Sequence, residues 1–197
     1  MSTVVAGKMT VAEYLAWCER PENSERRTEL VDGEIIDMPP GGEIHGLICS
    51  WIGTLLNIWC VERGGGYAVG NDTGLKVGKR KLNLRGVDVM LYLSGPPGGK
   101  FKFKMPDRIP TLAVEVVSPS DRPGGILKRV NQYLASGMPV VWIVYPAADT
   151  IIIHRPDQPA QAYEQNDTVD GSPELPGFRK TVMELLRHPH HQSFGVT

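Results

Sequence analysis

The chain has 197 residues, 41% of them hydrophobic and 22% charged, with 21 Lys and Arg against 22 Asp and Glu and a net charge of −1. That balance excludes a disordered or fibrous chain and suits one globular domain large enough to bury a core. Its 22 glycines and 16 prolines follow no period, which implies many turns and excludes collagen.

From Thr10 to about Arg20 the pattern predicts a short helix with Tyr14, Leu15 and Trp17 facing inward. TELVDGEIIDM predicts a hairpin, since Asp32-Gly33 supplies the positive-φ pair of a two-residue turn. PPGG breaks the chain before a long helix over about 44–62, and GGG at 64–66 ends it. Residues 44–61 hold no Asp, Glu, Lys or Arg. His45, Ser50, Thr54 and Asn57 interrupt the run, Glu43 and Glu62 bracket it, and no basic cluster marks a cytoplasmic side. It therefore reads as a buried core helix and not as a membrane span.

Strands are predicted at about 67–69, 74–77, 83–85 and 87–93. After the loop SGPPGGK come a strand at 111–117, a helix at about 125–136 closed by Gly137, and a strand at 139–145. Residues 150–154 and 161–164 predict a hairpin, and a short helix near 180–187 precedes HPHHQSFGVT. Strand, crossover helix and strand imply an α/β (α+β) fold: one mixed sheet flanked by helices. No linker or repeat divides it, so a single domain over 1–187 and a flexible tail over 188–197 are expected.

Cys18, Cys49 and Cys60 form no C-x-x-C pair. An odd count without that spacing argues against a disulfide framework and a cysteine-based zinc site, and fits a reducing, cytoplasmic compartment. The N-terminus carries no apolar run long enough for a signal peptide. The neutral total hides an asymmetry: residues 1–75 carry a net −6, residues 76–108 a net +7 and residues 109–197 a net −2. The basic block includes Lys76, Lys79, Arg80, Lys81 and Arg85 together with KFKFK. Such a block either contacts a phosphate backbone or is a solvated hairpin face.

Two acids stand in apolar strands, Asp88 in GVDVMLYL and Glu115 in LAVEVV. Strand alternation places Asp88 with Met90 and Tyr92, and Glu115 with Ala113 and Val117. An ionised carboxylate there must be paired, hydrogen-bonded or metal-bound. Two such acids on neighbouring strands suit a hard cation such as Mg²⁺; the alternative is two separate acids, each paired with Lys or Arg. On the helix GILKRVNQYLASG, steps of roughly 100° put Arg129 on the flank of the apolar face and Lys128 away from it. Arg129 is thus the better placed to reach back over the sheet, although both also read as surface charges.

The chain resembles the Uma-two family of restriction-endonuclease-like proteins, a branch of the PD-(D/E)XK nuclease superfamily. The resemblance is carried by ELVDGEIIDMPP at 29–40, Glu43-Ile44-His45, VDVMLYL at 87–93, LAVEVVSPSDRPG at 112–124, YLASGMPVVWIVYP at 133–146 and ELPGF at 174–178. It implies a restriction-endonuclease-like core with an N-terminal hairpin extension. It places the superfamily's two acids on Asp88 and Glu115, with the Val116 carbonyl as a third metal ligand. The family's helix lysine falls on Arg129, with Lys128 beside it. Glu29 and His45 match further family positions as accessory residues. Val87 replaces the usual proline, Val117 the usual lysine, and Tyr145 a usual aspartate. The implied activity is endonucleolytic hydrolysis of phosphodiester bonds, with Mg²⁺ or Mn²⁺ as cofactor and nucleic acid, DNA foremost, as partner.

Two other readings are a catalytically silent binder of nucleic acid or protein, and a structural homodimer whose acids are ion-paired. For His45 a satisfied structural role competes with one in orienting phosphate or water. For Glu29 the competing role is that of an edge-strand charge.

Overall fold

The computed structural model describes residues 8–78, 82–102 and 104–188. Lys79, Arg80, Lys81 and the tail beyond His188 lie outside them. Helix α1 (Val11–Cys18) opens on Thr10, whose hydroxyl accepts the Glu13 N–H while the Glu13 carboxylate accepts the Thr10 N–H at 2.7 Å. Strands β1 (Thr28–Val31) and β2 (Glu34–Asp37) form the expected hairpin, with Asp32 and Gly33 at φ 51° and 80° in the turn. Helix α2 (Glu43–Glu62) leads into β3 (Tyr67–Val77), β4 (Asn83–Tyr92) and β5 (Leu112–Val116). Helix α3 (Pro123–Ala135) crosses over to β6 (Val140–Tyr145), which lies parallel to β5. Then come β7 (Thr150–His154), β8 (Gln161–Tyr163), β9 (Thr168–Asp170), β10 (Arg179–Thr181) and α4 (Val182–Leu186).

Eight strands form one mixed sheet in the order β2-β1-β4-β5-β6-β7-β8, with β3 also paired to β4. Alternation along β5 and β6 sorts the core into two layers. Leu112, Val114, Val116, Val140, Trp142 and Val144 pack with Ile48, Ile52 and Leu56 of α2 and Leu185 and Leu186 of α4. Ala113, Val141 and Ile143 pack with Ile126, Val130 and Tyr133 of α3 on the other face. Helix α2 is long and apolar enough to cross a membrane by length and composition. Here it buries one stripe, Ile48, Ile52, Leu56, Trp59 and Cys60, against the sheet, and leaves Ile58 and Val61 exposed. It is an amphipathic covering helix and not a helix buried on all sides.

The sequence pattern divides residues 67–77 and 83–93 into four strands, whereas the structure has two long ones. The interruption at Gly70-Asn71-Asp72 is a bulge: the β3–β4 register shifts between Gly70 and Thr73, and Asn71 and Asp72 take positive φ. Gly86 permits this, because a Cβ there would stand 3.0 Å from that of Asp72. The expected terminal helix near 180–187 is shorter than predicted, since β10 occupies its start and pairs with β9 in a second, two-stranded sheet.

Opposite β3, the other edge of β4 is shared by two strands. Leu84 pairs with Leu30 of β1, and Val89, Met90 and Leu91 pair with β5. Among the described residues neither strand pairs with β4 between Leu84 and Val89, so the sheet forks there. Side chains replace the missing ladder. The Glu29 carboxylate accepts the Gly86 N–H at 2.9 Å and the Arg85 guanidinium at 2.8 Å, with both side chains under a tenth exposed. Truncating one partner of a buried pair strands the other charge, at about 3–5 kcal/mol. Glu29→Ala should therefore lower unfolding free energy by about that much in urea titrations, while Glu34→Ala on exposed β2 should stay within about 0.5 kcal/mol of wild type.

Candidate functional site

Continuing the β4–β5 register by one residue sets Asp88 opposite Glu115, at the crotch of the fork. Glu115 follows strand alternation and turns toward α3. Its Oε1 accepts the Tyr133 hydroxyl at 2.5 Å and its Oε2 accepts from the Arg129 guanidinium at 2.6 Å. Arg129 also lies 3.6 Å from Asp121 in the loop before α3, and its buried Nε has no hydrogen-bond partner among the described residues.

Asp88 does not follow alternation. Val87 packs in the α3-side layer while Val89 and Leu91 pack in the α2-side layer, so β4 switches faces at Asp88, opposite the bulge in β3. The expectation that Asp88 shares a face with Met90 and Tyr92 fails for that reason. Its Oδ2 instead accepts the Val116 N–H at 2.7 Å and stands 3.3 Å from His45 Nε2 on α2. Both acids nonetheless open on one cleft of about 1560 Å³, lined also by Val116, Arg129, His45, Cys49 and Glu29.

The charges in this cleft are coupled. Burial pushes the Glu115 carboxyl up to about 8; Arg129 pulls the other way, and Asp88 adds to the rise. Glu115 in turn holds the Arg129 guanidinium above its ordinary value. Burial first, then Glu115, pushes the Tyr133 hydroxyl well up. Asp88 raises His45 above the usual imidazole value, against the effect of burial. Burial also raises the Cys49 thiol, so it is neutral near pH 7.

The structure brings Asp88, Glu115, Val116, Arg129, Glu29 and His45 to this one cleft. Lys128 is not among them: its ammonium pairs with Asp32 at 2.5 Å and lines a separate hollow of about 460 Å³ on the far side of α3. Arg85 is corrected as a surface contact for phosphate, because its guanidinium is buried between Glu29 and Gln132. Glu29 is corrected as an edge charge, because β2 lies outside β1. Lys76 is half exposed, 3.7 Å from Asp107. Lys79, Arg80 and Lys81 fall outside the described residues. Sequence reasoning missed Tyr133 and Cys49. Each lies four residues after a residue already singled out on the same helix, Arg129 and His45, a spacing that puts side chains together.

A carboxyl whose value is higher in the folded state than in the unfolded one stabilises the fold while protonated. The Glu115 contribution is therefore full below its unfolded value of 4.5 and is lost as pH rises through about 8. Glu115→Gln removes that slope, while Arg129 stays charged and adds only a constant offset. Urea titrations should show the variant gaining on wild type between pH 4.5 and 8; parallel curves would contradict this.

The sequence profile of the Uma2 family, described as "putative restriction endonuclease", matches residues 11–184. A crystal structure described as a "putative nuclease belonging to DUF820", from Anabaena variabilis, superposes with a TM-score of 0.76 at 18% identity, covering 90% of this chain and 97% of that one. At that identity the likeness establishes the mixed-sheet α/β fold. No curated protein matches the chain significantly. With nearly the whole length of the domain matched, the chain belongs to the Uma2 family of restriction-endonuclease-like proteins.

Proposed function

We propose that the protein is a divalent-metal-dependent endonuclease that hydrolyses phosphodiester bonds, with DNA as its substrate. The observation that carries the reading is that two buried acids on adjacent strands, Asp88 and Glu115, both line one cleft where the sheet forks. Mg²⁺ or Mn²⁺ favours a few carboxylate oxygens with a carbonyl and waters. The donor set fits: no hydrogen bond reaches Asp88 Oδ1 among the described residues, Glu115 is a buried carboxyl lining the same cleft, and the Val116 backbone stands beside both. Asp88, Glu115 and the Val116 carbonyl would hold the ion, which would polarise the scissile phosphate and lower the pKa of an attacking water.

The remaining groups belong to the chain itself. Arg129 cannot act as a base, since a guanidinium keeps its proton; it neutralises negative charge. Its guanidinium, now held by Glu115 at the cleft wall, would stabilise negative charge on the phosphate oxygens. Tyr133 fixes the rotamer of Glu115 from behind. His45 stands 3.3 Å from Asp88 near the first turn of α2, and Asp88 raises its affinity for a proton. The exposed Lys100, Lys102 and Lys104, between β4 and β5, would give the basic segment a means of tracking a backbone.

One observation favours a second reading, a silent nucleic-acid binder: both Glu115 oxygens already have partners within the chain. Calorimetry with Mg²⁺ or Mn²⁺ distinguishes the two. The nuclease reading predicts a binding heat in wild type that is absent from Asp88→Asn, and cleavage of supercoiled DNA reduced by about 10³-fold or more in that variant, whose fold is retained. Negligible heat in wild type and variant alike would overturn it. Arg129→Lys, which restores the family residue, should raise the cleavage rate; a fall would show that the cleft is fitted to the guanidinium.

A further inference from the structure

The wall of the cleft formed by α2 carries donors of a different chemistry. His45 and Cys49 are one turn apart, and the Cys49 Sγ lies 3.6 Å and 3.9 Å from the two ring nitrogens of His45. The nearer edge of Asp88 is 3.3 Å from His45 Nε2. One donor atom from each of the three falls within 4.8 Å of the other two. A tetrahedral Zn²⁺, with bonds of about 2.3 Å to sulfur and 2.0–2.2 Å to nitrogen or oxygen, sets its ligands roughly 3.3–3.6 Å apart. The 3.3 Å between Asp88 and His45 Nε2 already matches such an edge, and the 3.9 Å from Cys49 Sγ to His45 Nε2 exceeds one by a few tenths of an ångström.

We propose that Cys49 Sγ, His45 Nε2 and an Asp88 carboxylate oxygen form a seat for a thiophilic divalent cation of the Zn²⁺ class, with a fourth position open to the cleft. A thiol within the set selects against Mg²⁺, which takes oxygen, and for Zn²⁺ or Co²⁺. The thiol proton, and that of His45 when the ring is charged, pass to solvent as the bonds to the ion form. The surroundings suit the ring in this role. Gly41 packs against it, and a Cβ at that position would stand 3.0 Å from Nδ1, so the glycine leaves that nitrogen room to keep its proton while Nε2 binds. The site shares Asp88 with the centre proposed above but uses neither Glu115 nor Arg129. It stands whether or not the protein cuts nucleic acid.

Co²⁺ is the probe, since its bond to a thiolate gives a near-ultraviolet charge-transfer band that oxygen and nitrogen ligands do not. Titrated into reduced full-length protein, Co²⁺ should produce this band at one equivalent, and Zn²⁺ should bleach it. Cys49→Ser should abolish the band, and Cys18→Ser, which changes the other thiol lining the cleft, should retain it. His45→Gln should weaken Co²⁺ binding by at least about tenfold with the fold intact by thermal melting. Absence of the band in wild type, or its survival in Cys49→Ser, would overturn the proposal. The Mg²⁺ heat of wild type reports separately on the nuclease: a missing Mg²⁺ heat in wild type beside a wild-type Co²⁺ band would sink the nuclease reading and leave this one standing.

Discussion

Between Leu84 and Val89 the edge of β4 has no strand beside it among the described residues, and the site follows from how that gap is filled. Main-chain N–H groups at a buried strand edge must find acceptors. Here they find carboxylates: Glu29 takes the N–H of Gly86, and Asp88 takes that of Val116. The fork thus draws acids into the middle of a sheet, where charges are otherwise excluded. The β3 bulge reinforces the effect by turning β4 over at Asp88, so that one strand presents side chains to both helical layers across the gap.

Each acid so placed has a basic side chain matched to it. Glu29 meets Arg85, Glu115 meets Arg129, and Asp88 meets His45. The three couples differ in how tightly they are closed. Glu29–Arg85 is sealed, with Gln132 covering the guanidinium, and serves the fold. Glu115–Arg129 is buried but unbalanced: desolvation outweighs the attraction at the carboxyl, and the guanidinium keeps a partnerless N–H. Asp88–His45 lies at the cleft wall beside a thiol. The side chains grow less enclosed along this series, from the β1 side of the fork toward α2.

Much of this was legible in the sequence because it is local. Asp32-Gly33 fixed the hairpin, the apolar runs at 112–116 and 140–145 fixed the buried parallel pair, and Asp88 and Glu115 declared themselves as acids without polar neighbours. The helical wheel correctly favoured Arg129 over Lys128. What escaped was non-local. Gly70-Asn71-Asp72 reads equally as a turn or a bulge, and only pairing with β4 decides it. The switch of faces at Asp88 follows from that bulge, so period-two reasoning assigned its face wrongly. Arg85 sits in a basic block yet is buried, because its partner Glu29 lies 56 residues earlier. The missing C-x-x-C pair hid a thiol whose companions come from one helix turn and a distant strand.

Family membership supplies a frame for these charges, but the claim that matters is that Asp88 and Glu115 share one divalent ion. Crystals equilibrated with Mn²⁺ and examined by anomalous scattering test this directly. The account predicts a single peak within bonding distance of both carboxylates, with the Arg129 guanidinium withdrawn from Glu115. An undisturbed Glu115–Arg129 pair with no peak between the two acids would contradict it.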